Sequence, residues 1–219
     1  MPRRTQHRGV KGSLKWIQYL VNDHPSVLDQ AIGFGPVRWH SPLASDQYAE
    51  YWDADFLDLL GVRNLARPLD TFWPRSGPRW DALGVNKSGA LVLVEAKAHA
   101  DELQTASSAG PDSLVMIERA FAELASAWGV QLTPAWTTTY YQYANRLAHA
   151  FFLNELNARP AILAFVNCIG DVTMHGPTSR QEWEDTIESV HRALGVENSL
   201  PPYVTDAFVD VGCPTPIAA

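Results

Sequence analysis

The sequence predicts an α/β domain, a mixed β-sheet flanked by α-helices, and three observations carry that expectation. Residues 79–99, RWDALGVNKSGALVLVEAKAH, set two runs rich in Val, Leu and Ala on either side of Asn86-Lys87-Ser88-Gly89. That is the pattern of two antiparallel strands joined by a tight turn. Ala161 to Ile169 is an unbroken apolar run of strand length, as in a strand covered on both faces. Around these strands, apolar residues recur at alternating threes and fours, the helical period, so the sheet has helices to cover it.

At 219 residues the chain is long enough for one domain with a substantial core, and it contains no internal repeat and no linker. It is 46% hydrophobic and 19% charged, a globular composition. The net charge of −7 is unevenly spread: residues 1–22 hold five of the 17 basic residues and none of the 24 acidic ones. An acidic body with a basic beginning argues against a protein that coats nucleic acid, but not against an enzyme with a local basic groove. Two cysteines, Cys168 and Cys213, are too few for a disulfide scaffold, so a cytoplasmic location is expected. No apolar run reaches membrane-spanning length, and no membrane partner is expected.

Taken in order, residues 1–12 read as a flexible basic arm and 13–219 as the domain. Leu14, Ile17, Tyr19, Leu20 and Val21 predict a short helix, stopped before His24-Pro25 because the residue preceding a proline avoids the helical region. Residues 31–44, with two glycines and two prolines, read as loop. Ser45 then has the features of an N-cap for a helix over Asp46–Leu60, ended by Gly61, whose buried stripe is Tyr48, Trp52, Phe56, Leu59 and Leu60. Glu50 and Asp53 lie on another side of that helix, either as a solvated acidic face or with Glu50 reaching toward a metal site. A strand at Leu69–Trp73 would run beside the hairpin.

The register of the hairpin follows from its turn. With Lys87, Ser88 and Gly89 as a three-residue loop, and Gly89 in the left-handed conformation, Asn86 faces Ala90. Leu83 then faces Leu93, Asp81 faces Glu95 and Arg79 faces Lys97, all on one side. Trp80, Ala82, Gly84, Val92, Val94 and Ala96 make an apolar second side. A loop of two or four residues would put Asp81 and Glu95 on opposite faces. Facing carboxylates repel, as do facing cations, so neither charged pair is a usual choice for a strand. A divalent cation relieves the first repulsion and an anionic ligand the second.

Beyond the hairpin, Ala100–Pro111 reads as a connector. Asp112 or Ser113 caps a helix to Trp128, a second helix runs over Thr138–Asn157, and Pro160 precedes the apolar strand. Ser179 and Glu182 form a capping box for a helix to Leu194, and Tyr203–Val211 is a last strand. Nucleophile-elbow, phosphate-loop and zinc-protease motifs are absent, and the cysteines are not at zinc spacing. Of seven histidines, His99 alone lies beside the charged cluster. The aromatics Trp73, Trp80, Tyr140 and Tyr141 are read as packing residues rather than as platforms for bases.

Asp81, thirteen intervening residues, then Glu95-Ala96-Lys97 resembles the motif of the PD-(D/E)XK nuclease superfamily, the restriction-endonuclease-like fold. Trp80 stands where the proline of the family name would be. The resemblance covers the element order from Asp46 to Ile169. It implies a Mg²⁺-dependent endonuclease acting on nucleic acid, with DNA the expected substrate and Mn²⁺ able to substitute. Asp81, Glu95 and the carbonyl of Ala96 would bind the metal, and Lys97 would assist the attacking water. Hard oxygen ligands suit Mg²⁺. Lysine is scarce, four against thirteen arginines, and one ending a buried strand is unusual. Glu50, Arg79, His99 and Gln142 are accessory candidates, with Asn145 and Arg146 on the same helix as Gln142. Cleavage of both strands of a duplex would imply a homodimer. The alternatives are a non-catalytic module that keeps the fold and binds nucleic acid or protein, and an unrelated interaction domain in which the motif is accidental.

Overall fold

The computed structural model describes residues 3–212. In chain order it contains β1 (Arg3–Arg4), α1 (Gly12–Asp23), α2 (Pro25–Ile32), β2 (Val37–Ser41), β3 (Glu50–Tyr51), α3 (Asp53–Leu59), β4 (Ala82–Asn86) and β5 (Leu91–Lys97). It continues through α4 (Pro111–Trp128), α5 (Ala135–Thr138), α6 (Tyr141–Phe151), β6 (Ala161–Ile169), α7 (Arg180–Leu194) and β7 (Val204–Asp210). Five strands form one mixed sheet in the order β2-β4-β5-β6-β7, antiparallel as far as β5 and parallel from β5 to β7. Helices α1 and α2 bury Ile17, Leu20, Leu28 and Ile32 against Ala82, Val92, Val94 and Val166 on one face. On the other face Phe56, Phe121, Leu147 and Trp183, from α3, α4, α6 and α7, pack on Leu83, Leu93, Leu163 and Phe165. Each face of β6 meets a helical layer, which is why its sequence is apolar throughout rather than alternating. No helix among the described residues is long and apolar enough to cross a membrane.

The hairpin turn has the expected length. Gly89 has φ +85°, its N–H donates to the Asn86 carbonyl at 3.0 Å, and the Asn86 N–H donates to the Ala90 carbonyl at 3.0 Å. The Asn86 side chain closes the loop by accepting from the Ser88 and Ala90 N–H groups. Val85↔Leu91, Gly84↔Val92, Leu83↔Leu93 and Ala82↔Val94 follow in register. At Asp81 the ladder breaks: its N–H donates to the Val94 carbonyl at 3.1 Å, while the Trp80 N–H goes to the Tyr51 carbonyl at 3.2 Å. The expected pairings of Asp81 with Glu95 and of Arg79 with Lys97 therefore do not form. Trp80, fully buried, turns away from Ala82 and packs beside Phe56 and His149 in the other core layer. An irregularity at a strand end re-aims the side chains that follow it, and here it directs Asp81 rather than Arg79 toward the end of β5.

Upstream of the hairpin, long-range pairing overrides local pattern. The strand beside β4 is β2, inside residues expected to be loop: Pro36 and Pro42 bracket it, and a proline-bounded strand is tolerated at a sheet edge. Residues 69–73 instead form a 3-10 turn at Leu69–Thr71, which inserts Phe72 and Trp73 into the core. The expected helix over Asp46–Leu60 is divided. Asp46 ends a 3-10 turn, Gln47 and Tyr48 are left-handed at φ 52° and 50°, and Glu50-Tyr51 is extended because it pairs with Arg3-Arg4. Only Asp53–Leu59 is helical. The residues expected to form a flexible arm, where they are described, lie on the body: β1 pairs with β3, Arg3 bonds Asp46, and Arg8 bonds Asp23 at 2.7 Å. Downstream the reading is closer. The Ser179 hydroxyl accepts from the Glu182 N–H at 3.2 Å, and the Glu182 carboxylate returns to the N–H of Thr178, one residue before the cap.

Candidate active site

Side chains alternate along a strand, so Leu93, Glu95 and Lys97 of β5 share the face covered by α6. Both charged residues are enclosed, Glu95 at 1% and Lys97 at 6% exposure, and a buried charge is tolerated only with partners. Helix α6 supplies them. Arg146 Nε donates to Glu95 Oε2 at 2.7 Å, and Lys97 Nζ donates to Glu95 Oε1 at 2.6 Å and to Gln142 Oε1 at 2.8 Å. Gln142 and Arg146 stand one helical turn apart, which is what lets both reach the same strand end. Arg146 is itself fixed on three further sides: Nη1 donates to Asn145 Oδ1 at 2.7 Å, Nη2 donates to the Arg79 carbonyl at 2.7 Å, and the guanidinium lies 5.0 Å from the Trp80 ring centroid.

Asp81 approaches from the end of β4. Its Oδ2 accepts the Ala96 N–H at 2.8 Å, so the carboxylate takes over as ladder partner where the strand breaks. Burial, and then the neighbouring Glu95, raise the Asp81 carboxyl to about 8, against the smaller opposing pull of Lys97, the Ala96 N–H and Arg146. Glu95 behaves oppositely. Burial would raise it, but Arg146 and Lys97 together outweigh that effect and hold it below the ordinary carboxylate range. The pair is thus unequal: Glu95 is bonded directly by Lys97 and Arg146, whereas Asp81 accepts the Ala96 N–H and feels those cations only at longer range.

Asp81, Gln142 and Arg146 of this cluster line a cleft of about 470 Å³ together with Glu50, Trp52 and Arg79, whereas the buried Glu95 and Lys97 are not on its lining. Glu50 lines it from β3 rather than from a helix. Arg79 is exposed, its guanidinium 5.0 Å from the Trp52 ring centroid. His99 does not line the cleft. Its Nδ1 accepts the Asp101 N–H at 3.1 Å and so caps the turn after β5. Trp73 and Trp80 are buried as packing residues, whereas Tyr141 lines the cleft.

Helix α6 brings Gln142, Asn145 and Arg146 to the cluster, as expected of that helix, and one feature departs from the sequence pattern. Trp52 belongs to the cleft instead of a buried helical stripe, because the helix begins after it. Arg146, a site candidate with Gln142 and Asn145, is the arginine that meets Glu95.

As a donor set, Asp81 and Glu95 offer hard carboxylate oxygens, and Ala96 contributes a main-chain carbonyl on the same strand end. Among the described residues no three His, Cys, Asp or Glu converge on one point. Two carboxylates suffice for Mg²⁺, which keeps several waters and is commonly held by one or two acidic side chains. The uncompensated Asp81 is the feature that fits a divalent cation best. The chain matches no family model, no curated protein and no solved structure, which leaves the geometry of the site to carry its chemistry.

Proposed function

We propose that the protein is a divalent-metal-dependent phosphodiesterase that cleaves nucleic acid, DNA being the expected substrate, on a restriction-endonuclease-like core of the PD-(D/E)XK kind. One observation supports this above the others: Asp81 comes from the chain before β4 to bond the Ala96 N–H at 2.8 Å, beside Glu95 and Lys97 of β5, whose Nζ lies 2.6 Å from Glu95, and Asp81 lines the cleft that borders this buried pair. Asp81, Glu95 and the Ala96 carbonyl would hold Mg²⁺ or Mn²⁺. Such an ion, when bound, polarises a phosphate and lowers the pKa of a coordinated water.

The chain's own groups would do the remaining work. Lys97 spends two of its three N–H donors on Glu95 and Gln142, which fixes the amine and leaves one donor for the attacking water or for charge developing on the phosphate. Arg146 prevents Glu95 from rotating out of the site. Arg79 offers an exposed guanidinium to a flanking phosphate. A second reading, a non-catalytic binding module with the same fold, is favoured by a separate observation: both oxygens of Glu95 are already engaged by cations.

The test is cleavage of single-stranded, duplex and branched DNA with Mg²⁺ or Mn²⁺, beside direct measurement of metal binding. Wild type should cleave. Lys97→Ala should lose roughly 10²- to 10⁴-fold in rate, the usual contribution of a positioned proton donor or acceptor. Asp81→Ala should lose metal binding and cleavage together. Metal binding without cleavage would move the protein to the binding-module reading, and absence of both would remove the site assignment.

A further inference from the structure

Resting on the nuclease reading, we infer that the cleft takes one unpaired nucleic-acid strand rather than an intact duplex, with Trp52 and Arg79 as the platform for a base and its phosphate. Trp52 sits between β3 and α3, half-buried, so one part of its indole is anchored while the rest borders the cleft. The Arg79 guanidinium lies over that ring at 5.0 Å, and Tyr141 lines the same cleft from the start of α6. An aromatic ring with an adjoining flat cation is what sequence-tolerant single-strand recognition uses, because every base has a π-face to stack. The strand break at Asp81 creates this arrangement, since it turns Trp80 inward and leaves Arg79 outside.

Charge points the same way. Duplex DNA presents one phosphate charge per roughly 1.7 Å of axis and is held by many cations. The cleft offers Arg79 as its exposed cation, because Arg146 is 3% exposed and committed to Glu95. Glu50 lies on the lining as well, and the chain as a whole is at −7. Arg4, exposed, is paired across the ribbon from Glu50. A second strand would lie against this acidic surface with few partners, whereas a single strand can trade phosphate contacts for stacking.

Fluorescence anisotropy tests the inference, with a labelled deoxyoligonucleotide and the same sequence annealed to its complement, both in EDTA so that cleavage plays no part. The single strand should bind at least about tenfold tighter than the duplex. Trp52→Ala should weaken single-strand binding by roughly 5- to 100-fold, the range for loss of one base–aromatic stack, and leave duplex binding unchanged. Trp52→Phe should retain most of the affinity, which separates stacking from folding. Arg79→Ala should lower the slope of log affinity against log salt by about 0.7. Duplex binding as tight as single-strand binding would overturn the inference, as would full single-strand affinity in a folded Trp52→Ala protein or the absence of nucleic-acid binding. The two readings fail separately. Hydrolysis of duplex and single strand at equal rates would keep the nuclease and remove the single-strand cleft, while single-strand binding with no hydrolysis in Mn²⁺ would do the reverse.

Discussion

Arg146 Nε lies 2.7 Å from Glu95 Oε2, joining helix α6 to strand β5 through side chains that are 3% and 2% exposed. Removing one partner of so enclosed a pair leaves a buried charge short of compensation, which typically costs about 3–5 kcal/mol. Arg146→Ala is therefore expected to lower stability by about 3 kcal/mol, the low end, because Lys97 still faces Glu95. Urea unfolding measures this. The double variant Glu95→Gln/Arg146→Met should lose less than Arg146→Ala alone.

Asp81 links stability to pH. Its carboxyl is raised by burial, and then by Glu95, from 3.8 to about 8, so between those values the folded chain holds a proton that the unfolded chain has released. Its stabilising effect is complete below pH 4 and declines as pH rises toward 8, by at most about 1.4 kcal/mol per pH unit. Asp81→Asn should remove this decline and be the more stable protein at pH 8. Under the proposed function Mn²⁺ would displace the same proton, so its affinity should rise up to about tenfold per pH unit between pH 6 and 8.

His149 produces the opposite slope. Its ring is 1% exposed, 4.9 Å from the Trp73 ring centroid, with Nδ1 2.8 Å from the Asn145 carbonyl, and burial lowers its pKa from 6.5 to about 3. The unfolded chain takes up this proton first, so the stability it confers is complete above pH 6.5 and is lost as pH falls toward 3. His149→Gln should flatten the acid limb of a stability profile measured by urea unfolding, whatever it costs in packing.

Gly89 isolates the turn. Its φ of +85° is left-handed, and nothing lies within 4 Å of where a Cβ would be. Gly89→Ala should therefore carry only the conformational cost, about 1 kcal/mol in thermal or urea unfolding, with no change in metal binding at the far end of the hairpin.

The parts of the fold read correctly from the chain are those whose partners are close in sequence or whose pattern is unambiguous. The Gly89 turn sets the Leu83↔Leu93 register, the apolar run over Ala161–Ile169 identifies a strand covered on both faces, and Ser179 caps its own helix. The stretch from Val37 to Trp73 departs from its local pattern because its pairing is distant. Val37–Ser41 is a strand only because β4 lies beside it, and Glu50-Tyr51 is extended because Arg3-Arg4 pairs with it. Local propensity is weak beside such contacts.

The same division runs through the candidate site. Asp81, Glu95 and Lys97 are candidates from residue type and spacing alone, and the period of two along β5 puts Glu95 and Lys97 on one face, but Asp81 reaches them through the ladder break rather than through the expected register. What surrounds them was decided by tertiary structure. The ladder break at Asp81 moves Trp80 to the α6 side of the sheet and separates Arg79 from Lys97, α6 delivers Gln142 and Arg146 onto β5, and His99 is turned away to cap its own loop. A hairpin's register is a local geometric consequence of its turn, whereas which helix compensates a buried carboxylate depends on how distant segments pack, and no spacing within the chain encodes that directly.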